Sequence, residues 1–181
     1  MNTVRWTAEQ LERFERDGYL VVPDLFSPEE IAWLLEEIPR LCVEERPEIL
    51  RERGSDAVRS VIAPHHRSDV FRAMSQHPRL VEPVMQMLGD EVYLHQFKVN
   101  TKTAHDGEIW HWHQDYRTWY EDDGMPEPHV INATVFLTDV NEFNGPMMFI
   151  PGSHKLGRVD ATEQFERVPE YGRLAADAVG S

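Results

Sequence analysis

A single cysteine, Cys42, stands in 181 residues, so no internal disulfide can staple this chain. Long apolar runs are missing too. None approaches the roughly twenty residues needed to cross a bilayer, and the N-terminus carries neither the basic stretch nor the apolar run of a secretion signal. The expectation is a cytoplasmic protein that does not insert into membranes. Positive charge is scarce: eighteen Lys and Arg face thirty-two Asp and Glu, a formal charge of −14. That balance repels a phosphate backbone or an anionic lipid surface, which argues against nucleic acid or membrane as a partner. Core material is present. With 41% hydrophobic and 28% charged residues, the length suits one globular domain over 1–181.

Helix signals crowd the first half. In "TAEQLERFERDGYLVV", Thr7 is an N-cap candidate with Gln10 at the third helical position, Leu11 and Phe14 share a face, and Asp17 and Gly18 end the run. "YLVVPDLF" reads as a short buried strand stopped by Pro23. "SPEEIAWLLEEIPRL" repeats the helix-start pattern, with Ser27 as cap, Pro28 at the first position and Glu30 at the third, and the helix is expected to reach about Ile38. Residues 44–60 are charged and lack a period, whereas "HPRLVEPVMQMLG" reads as a helix closed by Gly89. Beyond Gly89 the pattern changes. "EVYLHQFKVNTK" alternates, with Val92, Leu94, Gln96, Lys98 and Asn100 on one face and Tyr93, His95, Phe97 and Val99 on the other, and "VINATVFLTDV" and "PMMFIPG" are β-rich. The expected class is α+β: a helical part over 1–89, strands over 90–157 and an irregular tail over 158–181.

Chemistry-bearing residues concentrate in "IWHWHQDYRTWYEDDGMP", Ile109 to Pro126, which holds two histidines, three tryptophans, two tyrosines and four acidic residues in eighteen positions. On a strand, His111, His113 and Asp115 would point to one face, and spacing alone does not choose a pair among them. Taken alone, they also fit surface histidines beside an acidic loop. A His and carboxylate pair, however, is two-thirds of the facial triad that holds non-haem Fe(II) with positions open for substrate and O₂. Such a site needs a dry, shaped pocket, which Trp110, Trp112, Tyr116, Trp119 and Tyr120 could build, although core packing is the commoner fate of tryptophan.

Three blocks in order carry a family resemblance. "FERDGYLVVPDLFSPEEI" resembles the N-terminal signature of the phytanoyl-CoA dioxygenase family of Fe(II)- and 2-oxoglutarate-dependent oxygenases, "WHQD" its metal motif, and "NGPMMFIPGSHKLG" the turn and strand that follow. Within the family, "WHQDYRTWYEDDGMP" is most similar to the ectoine hydroxylase signature W-H-S-D-F-E-T-W-H-x-E-D-G-M-P, and "HQFKVNTK" to its HQSRIN-x-K. The likeness runs from about Phe14 to Gly157. Gln114, Tyr116, Arg117 and Tyr120 depart from it, standing where the signature has Ser, Phe, Glu and His, and Lys98 stands in place of Arg.

The resemblance implies a cupin-like double-stranded β-helix, or jelly roll, with the N-terminal helices packed on the sheet. It implies His113 and Asp115 as iron ligands, with His111 beside them or packed away. Lys102 would contact the 2-oxoglutarate cosubstrate, Asn100 could add a hydrogen bond on the same strand face, and Gln96 and Trp119 would hold substrate. The reaction would couple decarboxylation of 2-oxoglutarate to succinate with hydroxylation of an unactivated carbon. Asp115 matters here, because related halogenases carry a small residue at that position. The aromatics, with Glu121, Asp122 and Asp123 close by, suit a small zwitterion or cation such as ectoine or an amino acid better than an anionic acyl-CoA.

The family's third ligand, a downstream histidine, and the arginine that grips 2-oxoglutarate have no counterpart after His154. His154 lies in "PGSHK", which in the family is a turn; spacing alone would still offer it as the ligand. The expectation is therefore a jelly roll incomplete at its C-terminus, or one completed by a second copy in a homodimer. A binding module without catalysis on the same scaffold is the alternative function.

Overall fold

The computed structural model of the chain describes residues 4–101 and 112–159. These form two compact units, each assembled from separated stretches: one from described residues within Met1–Arg5, Pro23–Ile109 and Ala133–Val140, the other from those within Trp6–Val22, Trp110–Asn132 and Asn141–Ser181.

The first unit begins with α2, Pro28–Cys42, which follows α1 (Ala8–Asp17, in the second unit) along the chain. Ser27 and Glu30 close the expected capping box: the Ser27 N–H donates to Glu30 Oε2 at 2.8 Å and the Glu30 N–H to Ser27 Oγ at 3.3 Å. The helix does not stop near Ile38, however. It continues through Pro39, whose ring removes only the bond to the Leu35 carbonyl, on a turn where Leu35 is itself exposed. Ile31, Leu34, Ile38 and Leu41 make the stripe that faces the core, while Trp33 stays outside.

Two short strands and a third complete an antiparallel sheet in the order β1-β2-β3: Ile49–Arg51, Val58–Ile62 and Lys98–Asn100. Val61 sits between Ile49 and Val99, and Ser60 between Leu50 and Asn100. The hairpin of β1 and β2 begins in the stretch that reads as charged and aperiodic and ends two residues beyond it, at Ile62. Its signal is hidden because β1 has three residues with only Ile49 buried, and the buried residue beyond it is Glu52, which faces Arg59 at 3.5 Å. Two helices precede β3, α3 (Asp69–Ser75) and α4 (Pro78–Leu88). The core is Leu34, Leu41, Ile49, Val61, Phe71, Met74 and Val99, with Phe97, Val135 and Leu137 packed on it. The alternation read in the sequence survives as burial at Val99, partial burial at Phe97 and exposure at Lys98 and Asn100, but Tyr93 is exposed and the ladder is confined to β3. Neither Val130–Val140 nor Pro146–Gly152 is paired in a sheet among the described residues. Residue alternation is a property of one segment, whereas a strand exists only with a partner in register.

Arg79, in the first turn of α4, ties that helix to the start of α2. Its guanidinium contacts the Leu25 carbonyl and the Glu30 carboxylate and lies 4.5 Å from the Phe26 ring centroid. The Glu30 carboxyl is held below its ordinary value, first by the Ser27 N–H and then by Arg79. A lowered folded pKa adds stability above the unfolded value, near 4.5, and loses it as pH falls through the folded one. Urea midpoints measured from pH 7 to 2 should therefore fall less steeply on the acid side in Glu30→Gln than in the parent; parallel curves would mean that Glu30 is not a source of the acid sensitivity.

In the second unit, α1 carries its own capping box, Thr7 with Gln10, and ends at Gly18, whose φ of 82° and N–H bond to the Phe14 carbonyl (2.7 Å) make a left-handed cap. "YLVV" is not a strand: Tyr19 stacks on Phe149 at 5.0 Å and Val21 is exposed. The turn "PGSH" closes the C-terminal end of α1. Gly152 N–H donates to the Asp17 carbonyl at 2.8 Å, and His154 Nε2 lies 3.1 Å from the Glu15 carbonyl, a hydrogen bond in the Nε2–H tautomer. The His154 ring lies directly over Gly18, where a Cβ would fall 2.2 Å from Nδ1. Gly18→Ala should therefore cost about 2–3 kcal/mol, combining a left-handed backbone with a displaced ring. Gly89→Ala, with φ of 71° and nothing within 4 Å of the added Cβ, isolates the backbone part at about 1 kcal/mol. Equal losses in the two variants, measured by urea unfolding, would show that the ring does not hold that place.

Candidate active site

His113 and Asp115 meet at the start of α5, Asp115–Asp122, in the second unit. They are not on a strand. Gln114 between them is extended, with φ −103° and ψ 123°, and an extended residue places its two neighbours on one side; the helix then begins at Asp115. His113 Nε2 and Asp115 Oδ1 stand 3.1 Å apart, both partly open to solvent. Two donors each bound at about 2.0–2.2 Å and at right angles around one metal are separated by about 3.0 Å. The pair thus has the spacing of one edge of an octahedral site, and its donor set, an imidazole nitrogen and a carboxylate oxygen, suits Fe(II). Asp115 is further oriented through its other oxygen, which accepts from Asn132 Nδ2 at 2.8 Å. Partners of this kind fix the direction in which a ligating carboxylate presents its lone pairs.

Aromatic side chains surround the same helix. Tyr116 and Tyr120 meet edge to face at 6.1 Å, and the Tyr116 hydroxyl donates to the Pro126 carbonyl at 3.0 Å. The Trp119 carbonyl takes N–H groups from Asp123 (3.1 Å) and Met125 (3.0 Å), which folds "DDGMP" back over the helix end through Gly124, at φ 69°. Trp119 itself is half-buried on α5.

Gln114 occupies the N-cap of α5 without capping it. Its carboxamide reaches instead to the segment after "PGSHK": Nε2 donates to the Gly157 carbonyl at 2.8 Å, and Oε1 accepts from the Val159 N–H at 2.9 Å. An unused cap forgoes about 1 kcal/mol, so two contacts to main chain are what this side chain provides in exchange.

Of the other residues singled out by the sequence, Gln96 and Asn100 belong to the first unit, Gln96 just before β3 and Asn100 on it. Both are exposed, and Asn100 Oδ1 accepts from Ser60 Oγ at 2.8 Å, which leaves its NH₂ group to donate elsewhere. Lys102 and His111 lie outside the described residues. His154 is on the end of α1, and among the described residues no three His, Cys, Asp or Glu side chains gather where a metal could be held. Spacing alone offers His154 as a third ligand and the resemblance a turn; its Nε2 lies at the Glu15 carbonyl, 3.1 Å away. Two contributors escaped the sequence reading. Asn132 lies in a β-rich run with nothing to mark it, and Gln114 is marked only as a departure from the family signature.

The family model described as phytanoyl-CoA dioxygenase (PhyH) matches residues 14–178. Ectoine dioxygenase from Bordetella bronchiseptica is 42% identical over 153 residues, 82% of this chain and 50% of that protein. L-proline trans-4-hydroxylase from Streptomyces griseoviridis is 42% identical over 150 residues, 83% of this chain and 56% of that protein. This chain thus spans about half the length of the curated relatives it matches. Among solved structures, EctD from S. alaskensis with bound Fe superposes with a TM-score of 0.78 at 33% identity, covering 95% of this chain and 64% of that one. The same protein with 2-oxoglutarate and 5-hydroxyectoine gives a TM-score of 0.65 at 35% identity, over 70% of this chain and 46% of that one.

Proposed function

Because the chain belongs to the phytanoyl-CoA dioxygenase family, we propose that its residues serve an Fe(II)- and 2-oxoglutarate-dependent hydroxylase acting on a small zwitterion, on a double-stranded β-helix domain. The observation that carries this reading is the His113–Asp115 pair at 3.1 Å, with Asn132 steadying the carboxylate. Bound iron, with 2-oxoglutarate and O₂, supplies the oxidising power that inserts a hydroxyl group into an unactivated carbon and leaves succinate and CO₂.

The chain's own residues bind, orient and exclude. His113 and Asp115 hold the metal, and the carboxylate offsets part of its charge. Lys102 pairs with a carboxylate of 2-oxoglutarate, and the Asn100 NH₂ group donates a hydrogen bond to it. Trp119 offers a ring face to the cationic part of the substrate, a contact of about 0.5–2 kcal/mol, and Gln96 adds polar recognition. The two relatives named for ectoine and for L-proline both take compact molecules bearing positive and negative charge, which supports a small zwitterion here. An acyl-CoA brings several phosphate charges to a chain of formal charge −14.

The test is succinate formation from 2-oxoglutarate with Fe(II), using ectoine, L-proline and phytanoyl-CoA as prime substrates. It should be run on this chain and on its open reading frame wherever that ends. Stimulation by ectoine or L-proline alone supports the reading, and stimulation by phytanoyl-CoA alone overturns the substrate class. A second reading, a binding module without turnover, is favoured by the lack of a third ligand near the pair among the described residues. Ectoine or proline binding with no iron-dependent succinate in either form would select it.

A further inference from the structure

Three of the positions at which this sequence departs from the ectoine hydroxylase signature, Gln114, Arg117 and Tyr120, touch one short segment. Gln114 grips it at two points, the Gly157 carbonyl at 2.8 Å and the Val159 N–H at 2.9 Å. Arg117 donates to the Val159 carbonyl at 3.4 Å while its Nε holds Glu121 at 2.9 Å. The Arg158 guanidinium lies 4.0 Å from the Tyr120 ring centroid. The segment is thus bonded through its backbone at Gly157 and Val159 and through the side chain between them.

A carboxamide that donates to one carbonyl and accepts from an N–H two residues on imitates a neighbouring strand, so Gln114 does for Gly157–Val159 what a sheet partner would do. Arg117 and Tyr120 lie three and six residues further along, on the helix face that Gln114 leads into. All three belong to α5 or its cap, and Gln114 is bonded covalently to both members of the His113–Asp115 pair.

We infer that Gln114 is a positioning residue: by clamping Gly157–Val159 onto α5, with Arg117 and Tyr120 as the outer contacts, it holds the extended turn that keeps His113 and Asp115 at metal-binding separation. The metal part of this rests on the iron-site reading above; the clamp does not. Freed from the segment, Gln114 has no anchored side chain, and the backbone between the two ligands can leave the extended conformation that places them on one side.

Two readouts on the whole chain separate these parts. The first needs no metal. Trypsin cleavage of the Arg158–Val159 bond, followed by mass spectrometry, reports how often the segment leaves α5, because a protease needs a detached, extended chain. Gln114→Ala should speed that cleavage about tenfold or more and Tyr120→Ala a few-fold. Gln114→Glu, which keeps the Val159 bond but sets a carboxylate against the Gly157 carbonyl, should fall between Gln114→Ala and the parent; it serves if the alanine variant does not fold. The second is Mn(II) titration followed by electron paramagnetic resonance, where Gln114→Ala should weaken binding by about tenfold, in the range found for residues that support a ligand. Unchanged cleavage in both Gln114 variants overturns the clamp. Faster cleavage with undiminished Mn(II) affinity overturns the positioning role. A parent that takes up no Mn(II), in this chain and in the product of its full open reading frame, while Gln114→Ala is cut faster upholds the clamp and removes the iron-site reading instead.

Discussion

Asp115→Ala should reduce iron-dependent succinate formation by about 10³-fold or more, while Asn132→Ala should reduce it by only about 10–100-fold. The grading follows from what each side chain touches. On the proposed iron-site reading, Asp115 would bring the one formal charge of the pair to the metal through an oxygen 3.1 Å from His113 Nε2, and alanine would remove donor and charge together. Asn132 acts on that carboxylate from behind, through a 2.8 Å bond to the second oxygen, so its loss leaves the ligand present but free to turn. Mn(II) affinity should fall in the same order. If Asn132→Ala proved as damaging as Asp115→Ala, the carboxylate would owe its place to the hydrogen bond more than to the turn at Gln114. If neither variant altered metal affinity, His113 and Asp115 would be an ion pair of α5 and no more.

Spacing left His111, His113 and Asp115 open, and the family resemblance chose His113 with Asp115; a single extended residue is enough to bring those two together. The element that carries them was not legible. An alternating reading put them on a strand, yet Asp115 opens a helix whose apolar residues are aromatic and whose N-cap lacks the usual Ser, Thr, Asp or Asn. Nor could the sequence show that Asn132 meets Asp115 or that Gln114 meets Gly157 and Val159. Those contacts join residues 17 to 45 positions apart, and only the fold chooses them. For His154, counting donors alone offers a ligand and the family resemblance a turn; in the structure its ring closes the end of α1 over a glycine that has room for it.

For the helices, local chemistry was enough where caps are written in side chains. Thr7 with Gln10 and Ser27 with Glu30 mark both starts, and Gly18 and Gly89 mark two ends through their left-handed backbones. It failed at α3, seven residues long and without a full amphipathic period, and at β1 and β2, where the buried positions, one in β1 and the adjacent Ser60 and Val61 in β2, show no alternation. The end of α2 failed for another reason. Pro39 reads as a stop, and tertiary packing overrides it.

That override leads to the largest expected loss of stability. Leu41 lies two residues beyond Pro39 and is fully buried, in the cluster with Leu34, Ile49, Val61 and Phe71. A helix interior proline costs about 3 kcal/mol, and full burial of one leucine returns about 1.5–3 kcal/mol, with Ile38 and Cys42 adding partial burial around it. The last turn of α2 therefore exists because Leu41 reaches the core. Leu41→Ala should cost about 3–5 kcal/mol, the upper part of the range for such substitutions, because the lost side chain leaves a cavity and also removes the reason for the turn. Leu35→Ala on the same helix, at a position 38% exposed, should cost only about 0.5 kcal/mol. Urea midpoints compare the two, with an unchanged slope required before the shift is taken as stability. Similar losses at both positions would mean that α2 does not present the 34 and 41 face to the core, and a Leu41→Ala loss below about 1 kcal/mol would mean that the turn after Pro39 is held by something other than this side chain.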